Sequence, residues 1–316
     1  MKNQFLSIIR QKTAINRPRE GLDILAMTIL VVLCASWGLN QIAIKIAMAG
    51  ISPIMQAGFR SIGAAVLVYL WTVARKEKLF EKDGTLGWGL AVGLIFAIEF
   101  VLIYWGLKFT LASRSVIFLN TMPFFTAMGA HLLIPAERLK ASHMVGLGCA
   151  FIGILVAFSE SIGLPDSRML IGDSMLLSGA VFWAAATVLI KACPLSKVRA
   201  SKILLYQLGI SALILPPCSM LLGEPGIYRM TPLIAACVIY QVIWVAFVTY
   251  LAWFWLVKVY PASRLSAFVF LTPLFGVLEG ALLLGEPVTY QLLVALVLVS
   301  IGIYIVNRRA GRHPSR

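Results

Sequence analysis

Ten apolar runs, each about as long as a bilayer is thick, divide this chain. The first begins after residue 21 and continues for about 22 residues. The others cover about 53–74, 86–107, 111–134, 143–159, 170–190, 203–222, 232–257, 263–284 and 289–306. A hydrocarbon core of roughly 30 Å is spanned by about 20 helical residues, so each run predicts one transmembrane helix. Alternation at period two is absent, and in lipid only helices and closed barrels satisfy their own backbone. The pattern therefore predicts an all-α integral membrane protein of ten helices. Turn residues mark most joints: Gly50 to Pro53, Gly84, Gly163 to Pro165, Gly223 to Gly226 and Gly285 to Pro287. No joint is long enough to fold by itself. The first run lacks the short apolar region and small-residue cleavage site of a signal peptide and reads as a retained anchor.

One stretch is written twice. Trp105, Lys108, Ala112, Ser113, Arg114, Phe118, Pro123 and Phe125 recur at one interval of 150 as Trp255, Lys258, Ala262, Ser263, Arg264, Phe268, Pro273 and Phe275. Identities in Trp, Lys, Arg and Pro do not arise by chance from a background of Leu, Ala and Ile. Trp37 and Lys45 also match Trp183 and Lys191, and Glu137 with Ile152-Gly153-Ile154 matches Glu286 with Ile301-Gly302-Ile303. The chain is a tandem duplication of five helices, and an odd number inverts the second copy in the membrane. The expected division is a basic segment 1–21, repeats over 22–160 and 161–306, and a basic tail 307–316. Lys108, Arg114 and Pro123, with Lys258, Arg264 and Pro273, then mark hairpins on opposite faces, where the ends of an alternating-access device gate or hinge.

Composition agrees: 60% of residues are hydrophobic, 13% are charged, and mean hydropathy is +0.91. The net charge of +14 suggests nucleic acid only if the basic residues share a face, and they lie in the joints instead. With the N-terminus inside, the inner segments hold five cations before residue 22, four in 75–82, two at 138 and 140, four in 191–202, Lys258 and Arg264, and four after 307, which is 21 of 27. Cytoplasmic loops carry such an excess. Both termini are therefore expected in the cytoplasm, as in a bacterial inner membrane protein, and a nucleic-acid partner is not expected. Five scattered cysteines without a C-x-x-C pair read as packing residues, and no metal or cofactor is expected. No nucleophile, acid/base pair or spaced ligand set suggests an enzyme, and no soluble domain suggests a sensor.

Polar groups at membrane depth are rare and functional by default. Helix 1 carries Ser36, Trp37 and Asn40 on one face. Lys45, near its end, either snorkels to the headgroups or enters the centre. Arg60 lies about 10 Å into helix 2, too deep for easy escape. Glu99, in mid-helix 3 with Tyr104 beyond it, either pairs with Arg60 or stays open to a proton or a substrate amine. Glu279 is the second acidic candidate, and His131 reads as interfacial. Helix 8 carries Tyr240, Trp244, Phe247, Tyr250 or Leu251, and Phe254 at helical spacing, with Gln241 beside them, whereas Trp253, Trp255 and Tyr260 read as interfacial belt. Asn120 and Trp183 complete the candidate substrate set of Trp37, Asn40, Arg60, Glu99, Tyr104, Asn120, Trp183, Tyr240, Trp244 and Phe247.

Several of these residues carry a resemblance. Trp37-Gly38-x-Asn40, Arg60, the hairpin leading to Pro123, Glu137, the Gly-rich helix 5 (Gly146, Gly148, Gly153) and Gly285-Glu286-Pro287 are similar to the drug/metabolite transporter superfamily. More narrowly, the chain resembles EamA-type exporters, including those of aromatic amino acids, over about Leu22 to Val306. The resemblance implies an alternating-access carrier with helices 1–4 and 6–9 around a central cavity, helices 5 and 10 outside it, and export of amino acids or related metabolites. The second half departs from the pattern, with Ser211 near the place of Arg60 and Ala186 in that of Asn40, so the site is expected to be asymmetric. Export of multiple drugs or lipophilic cations is the other reading. It requires an acidic cavity without a compensating cation, so the position of Arg60 discriminates.

Overall fold

The computed structural model describes residues 21–77, 83–110, 112–159, 166–284 and 290–308. Ten spans follow in order: α1 Ile24–Ala47, α2 Pro53–Ala74, α3 Leu86–Gly106, α4 in two pieces (Ala112–Leu119 and Met122–Leu133), α5 Ala141–Ala157, α6 Ser167–Ala192, α7 Ala200–Leu221, α8 Pro232–Val259, α9 in two pieces (Ala262–Phe268 and Leu271–Leu284), and α10 Tyr290–Asn307. Among the described residues nine spans are long and apolar enough to cross a membrane, and α5, with 17 residues, is the shorter tenth. The expected all-α membrane architecture is therefore present. Most of the basic N-terminal segment, the Gly285-Glu286-Pro287 joint and nearly all of the tail lie outside the described residues.

Helix starts follow from local chemistry. Asp23 caps α1 by accepting from Ala26 N at 2.9 Å, and Asp166 caps α6 by accepting from Met169 N at 2.7 Å. Pro53 and Pro232 open α2 and α8, where a missing N–H is harmless. Two spans expected to be continuous are broken, α4 at Asn120–Thr121 and α9 at Val269–Phe270. The repeated Pro123 and Pro273 explain both breaks: neither can donate to the carbonyl four residues earlier, at Leu119 and Val269, so the ladder opens at equivalent places. α8 differs in another way. Residues Tyr240–Thr249 form a π-helix, which alters the register of every side chain beyond it.

The helices pair as two halves related by a two-fold axis would pair them. α1 packs on α8 and α9, and α6 on α3 and α4; α2 meets α7 and α8, and α7 meets α2 and α3; α5 packs on α10. Small residues permit the closest crossings. A Cβ on Gly302 would lie 2.5 Å from Gly146 O, and one on Gly153 would lie 3.0 Å from Ala295 O. Gly38 meets α9, where a Cβ would stand 2.7 Å from Gly276 N. We call the end where α1 begins and α10 finishes the terminal face, and the other end the far face.

Candidate functional site

The centre of the bundle is built around a buried cation. Arg60 is 1% exposed, on the buried face of α2 with Gln56, Ala57 and Ala64. Its guanidinium carbon stands 4.3 Å from the Phe100 ring centroid and 5.8 Å from that of Tyr250. Those rings, from α3 and α8, are themselves equivalent at the interval of 150, so Arg60 lies between matching residues of the two halves. Stacking on rings suits a guanidinium deprived of water. It leaves donors unused: Arg60 Nε and Nη2 have no hydrogen-bond partner.

Further rings extend this cage. Phe96 meets Phe100 at 4.7 Å and Tyr250 at 6.2 Å, Phe100 stacks on Tyr104 at 5.8 Å, and Trp37 meets Tyr250 at 6.4 Å and Trp253 at 5.5 Å. Glu99 is 4% exposed beside them. Among the described residues no ion pair joins Glu99 to Arg60, and Glu99 Oε2 and Tyr104 Oη are also without hydrogen-bond partners. A buried polar atom left unsatisfied costs about 1–3 kcal/mol, more for a charged group. Several together mark a place suited to a bound polar molecule. A guanidinium, a carboxylate and a wall of rings are complementary to a zwitterion with an apolar side chain.

The remaining sequence candidates divide. Asn40 and Asn120 are buried, each with an unpartnered Oδ1, and Asn120 sits at the break in α4 while its Nδ2 donates to Val116 O. Trp183 is half-buried and packs on the core. Trp244 lies away from the centre, whereas Tyr240 and Phe247 are half-buried against the core. Trp244 is 41% exposed, faces a groove between α1 and α8 lined by Thr28, Val32 and Val248, and donates to Ser36 Oγ at 2.9 Å. Tyr240 Oη donates to Ser36 O at 2.9 Å, and Phe247 packs on Trp71, itself exposed. The π-helix departs from period 3.6, so that Gln241, Val245 and Thr249 are buried while Trp244, between them, is exposed. Trp253 and Tyr260, read as belt, are buried, whereas Trp255 is exposed.

Sequence reasoning missed Phe96 and Phe100, which carry no signal distinct from core packing, and Gln56. Gln56 Nε2 donates to Gln241 Oε1 at 3.1 Å, both fully buried. α2 and α7 have 22 residues each and start and end 147 apart. That interval sets Gln207, rather than Ser211, opposite Arg60, because the joints differ in length and the interval drifts along the chain. Of the other polar candidates, Lys45 is exposed, and His131, also exposed, accepts from Leu139 N at 3.1 Å. Glu279 is half-buried against Gly38, with Oε2 unpartnered.

The hairpins tie one half to the other. On the far face Lys108 lies over Trp105 and pairs with Glu224 at 3.2 Å. Arg114 Nε donates to both carboxylate oxygens of Asp173, at 3.2 and 3.0 Å, and Thr110 Oγ1 to one of them at 2.7 Å. On the terminal face Tyr260, which matches Thr110, donates to Asp23 at 2.9 Å. Glu137 pairs with Lys191 at 2.5 Å and accepts from Ala262 N at 2.7 Å. Lys258 Nζ donates to Val198 O, and Arg264 is half-buried in α9. Pro123 and Pro273 are buried at the helix breaks.

Comparison with known proteins agrees with this arrangement. The EamA-like transporter family matches twice, over residues 24–159 and 170–308. A protein of Salmonella typhimurium described as a probable amino-acid metabolite efflux pump is 30% identical over 290 residues, covering 89% of this chain and 93% of the relative. An Escherichia coli protein of the same description is 29% identical, covering 89% and 93%. An uncharacterized Bacillus subtilis transporter is 24% identical, covering 90% and 95%. A solved crystal structure shares the fold with a TM-score of 0.77 at 14% identity, covering 89% of this chain and 94% of that one. The two family matches account for both halves of the bundle, and the chain belongs to the EamA-like transporter family.

Proposed function

We propose that this transporter exports small amphipathic metabolites, amino acids by preference, by alternating access through the centre of the bundle. Arg60 takes the substrate carboxylate, Glu99 its amine, and Phe96, Phe100, Tyr104 and Tyr250 its side chain. Trp37, Asn40, Asn120 and Trp183 are assigned to the same cavity, while Trp244 and Phe247 are left out of it. The observation that carries the reading is the buried guanidinium held between Phe100 and Tyr250 with Nε and Nη2 unpartnered. A fixed cation at that place opposes a lipophilic-cation substrate. The description of the Salmonella and Escherichia relatives as efflux pumps for amino-acid metabolites supports the same substrate class. The basic residues favour both termini in the cytoplasm of a bacterial inner membrane protein, with repeats over 22–160 and 161–306.

The test is transport of labelled amino acids into proteoliposomes. Arg60→Gln and Glu99→Gln should each lower the rate about tenfold or more, the effect of losing a charged hydrogen-bond partner. Trp244→Ala should retain most of it. Transport indifferent to both central changes, in protein of unaltered elution profile, removes the site.

A further inference from the structure

α2 and α7 end in the same way. In each, a residue of left-handed backbone closes the helix: Lys76 at φ 54° and Gly223 at φ 71°. The next N–H returns to the carbonyl five residues back, Glu77 N to Thr72 O at 2.9 Å and Glu224 N to Ser219 O at 3.0 Å. This is the six-to-one bond of a Schellman stop. The three residue pairs stand at one interval of 147. Lys76 is the only non-glycine of positive φ among the described residues, so the turn is kept where its sequence disfavours it.

In each half the turn is followed by a carboxylate bonded to the other half. Glu224 accepts from Ile54 N at 3.1 Å, Met55 N at 3.3 Å and Ser219 Oγ at 2.8 Å, and pairs with Lys108. It thus holds the first turn of α2 to the end of α7 on the far face, where backbone donors and the helix dipole favour an anion. Glu77 accepts from Ser201 Oγ at 2.5 Å and from Arg199 Nη1 at 2.8 Å, at the start of α7 on the terminal face. Ile54 and Ser201 are again 147 apart. Each carboxylate follows one half's helix and grips the first turn of its counterpart in the other half.

We propose that Glu224 and Glu77 are the paired latches of the two gates, Glu224 closing the far face and Glu77 the terminal face, and that transport releases them in alternation. Both are engaged in this structure, and the centre between them is closed: Arg60, Gln56 and Ile203 are all 1% exposed or less. A bridge between Ile51 and Ile227, with Ser52 N donating to Gly226 O at 2.8 Å, reinforces the far latch. Equivalence of the latches gives alternation a physical basis, since a two-fold exchange of conformation carries one into the place of the other. The inference rests on alternating access but not on the identity of the substrate.

Labelling by a membrane-impermeant maleimide tests it without substrate. Gln56→Cys reports opening of the far face and Ile203→Cys, its equivalent, opening of the terminal face. Each is placed singly in oriented proteoliposomes, in protein whose five native cysteines are replaced. Glu224→Gln should raise labelling of the first reporter about tenfold and leave the second unchanged, and Glu77→Gln should do the reverse. If Glu224→Gln does not fold, Lys108→Met and Ser219→Ala each remove one partner and should give smaller rises at the same reporter. Unchanged labelling, or equal rises at both reporters, overturns the proposal. Latch behaviour as described together with amino-acid transport indifferent to Arg60→Gln would instead count against the substrate site alone.

Discussion

α2 and α7 have the same length, the same terminal turn and the same closing carboxylate, yet they differ where they pass the centre. At equivalent positions α2 carries Gln56 and Arg60, and α7 carries Ile203 and Gln207. The partner helices diverge likewise. Glu99 of α3 is answered by Thr249 of α8, which accepts from Trp37 Nε1 at 2.9 Å, and Gln241 of α8 is answered by Ala91 of α3. Residues at the ends must work in both inverted settings, so the duplication preserves them. The single-substrate centre proposed above requires only one charged set. A second arginine beside the first would add repulsion that low-dielectric surroundings do not screen.

Three substitutions distinguish the shared ends from the divergent centre. The largest effect is expected at the outer helix pair, where both halves rely on missing side chains. Gly302→Leu drives a side chain into Gly146 O and Ala150 and should destabilise the fold by about 3 kcal/mol or more, as overpacking without room to relax does. A large fall in thermal midpoint checks it, and Gly148→Leu, at a position open within 4 Å, should have little effect.

A smaller effect probes the terminal-face latch by pH. Burial raises the Glu77 carboxyl, but hydrogen bonds from Ser201 and Arg199 and the nearby charges of Arg199 and Arg75 outweigh it and hold the group below the usual glutamate range. A lowered pKa means that the ionised latch stabilises the fold above the unfolded carboxylate value of about 4.3. That contribution is lost as pH falls through the folded value. Asp83 is held low by Lys202 and Thr85 in the same region. The thermal midpoint should therefore fall with acidification below about pH 4, less steeply in Glu77→Gln than in the native protein. Equal slopes would show that Glu77 is not engaged.

The smallest effect lies at the turn itself. Lys76→Gly relieves left-handed backbone at a residue whose counterpart is already Gly223. It should raise stability by at most about 1 kcal/mol, seen as a slight rise in thermal midpoint, while Gly223→Lys should lower it by a similar amount.

The span pattern and the duplication were legible in the sequence because each has a signature that composition does not produce by accident. The helix breaks were not read, although Pro123 and Pro273 stood in the repeat, because their freed carbonyls matter only once the helix is built. The outward position of Trp244 is not legible for a different reason. Tyr240, Trp244 and Phe247 obey period 3.6 on paper, but the π-helix changes the period at that segment, and Trp253 moves inward while Trp244 moves out. Glu224 was hidden in a Gly-Pro turn, since a capping carboxylate has no local pattern when the helix it caps lies about 170 residues away.

Arg60 is assigned the role of selecting a carboxylate. Competition against transport of a labelled aromatic amino acid, using the unlabelled amino acid and its decarboxylated amine as a matched pair, reads that selection directly. The native protein should favour the amino acid about tenfold or more, and Arg60→Gln should bring the pair to near equality while leaving the fold intact. An amine that competes as well as the amino acid against the native protein would show that Arg60 does not select a carboxylate.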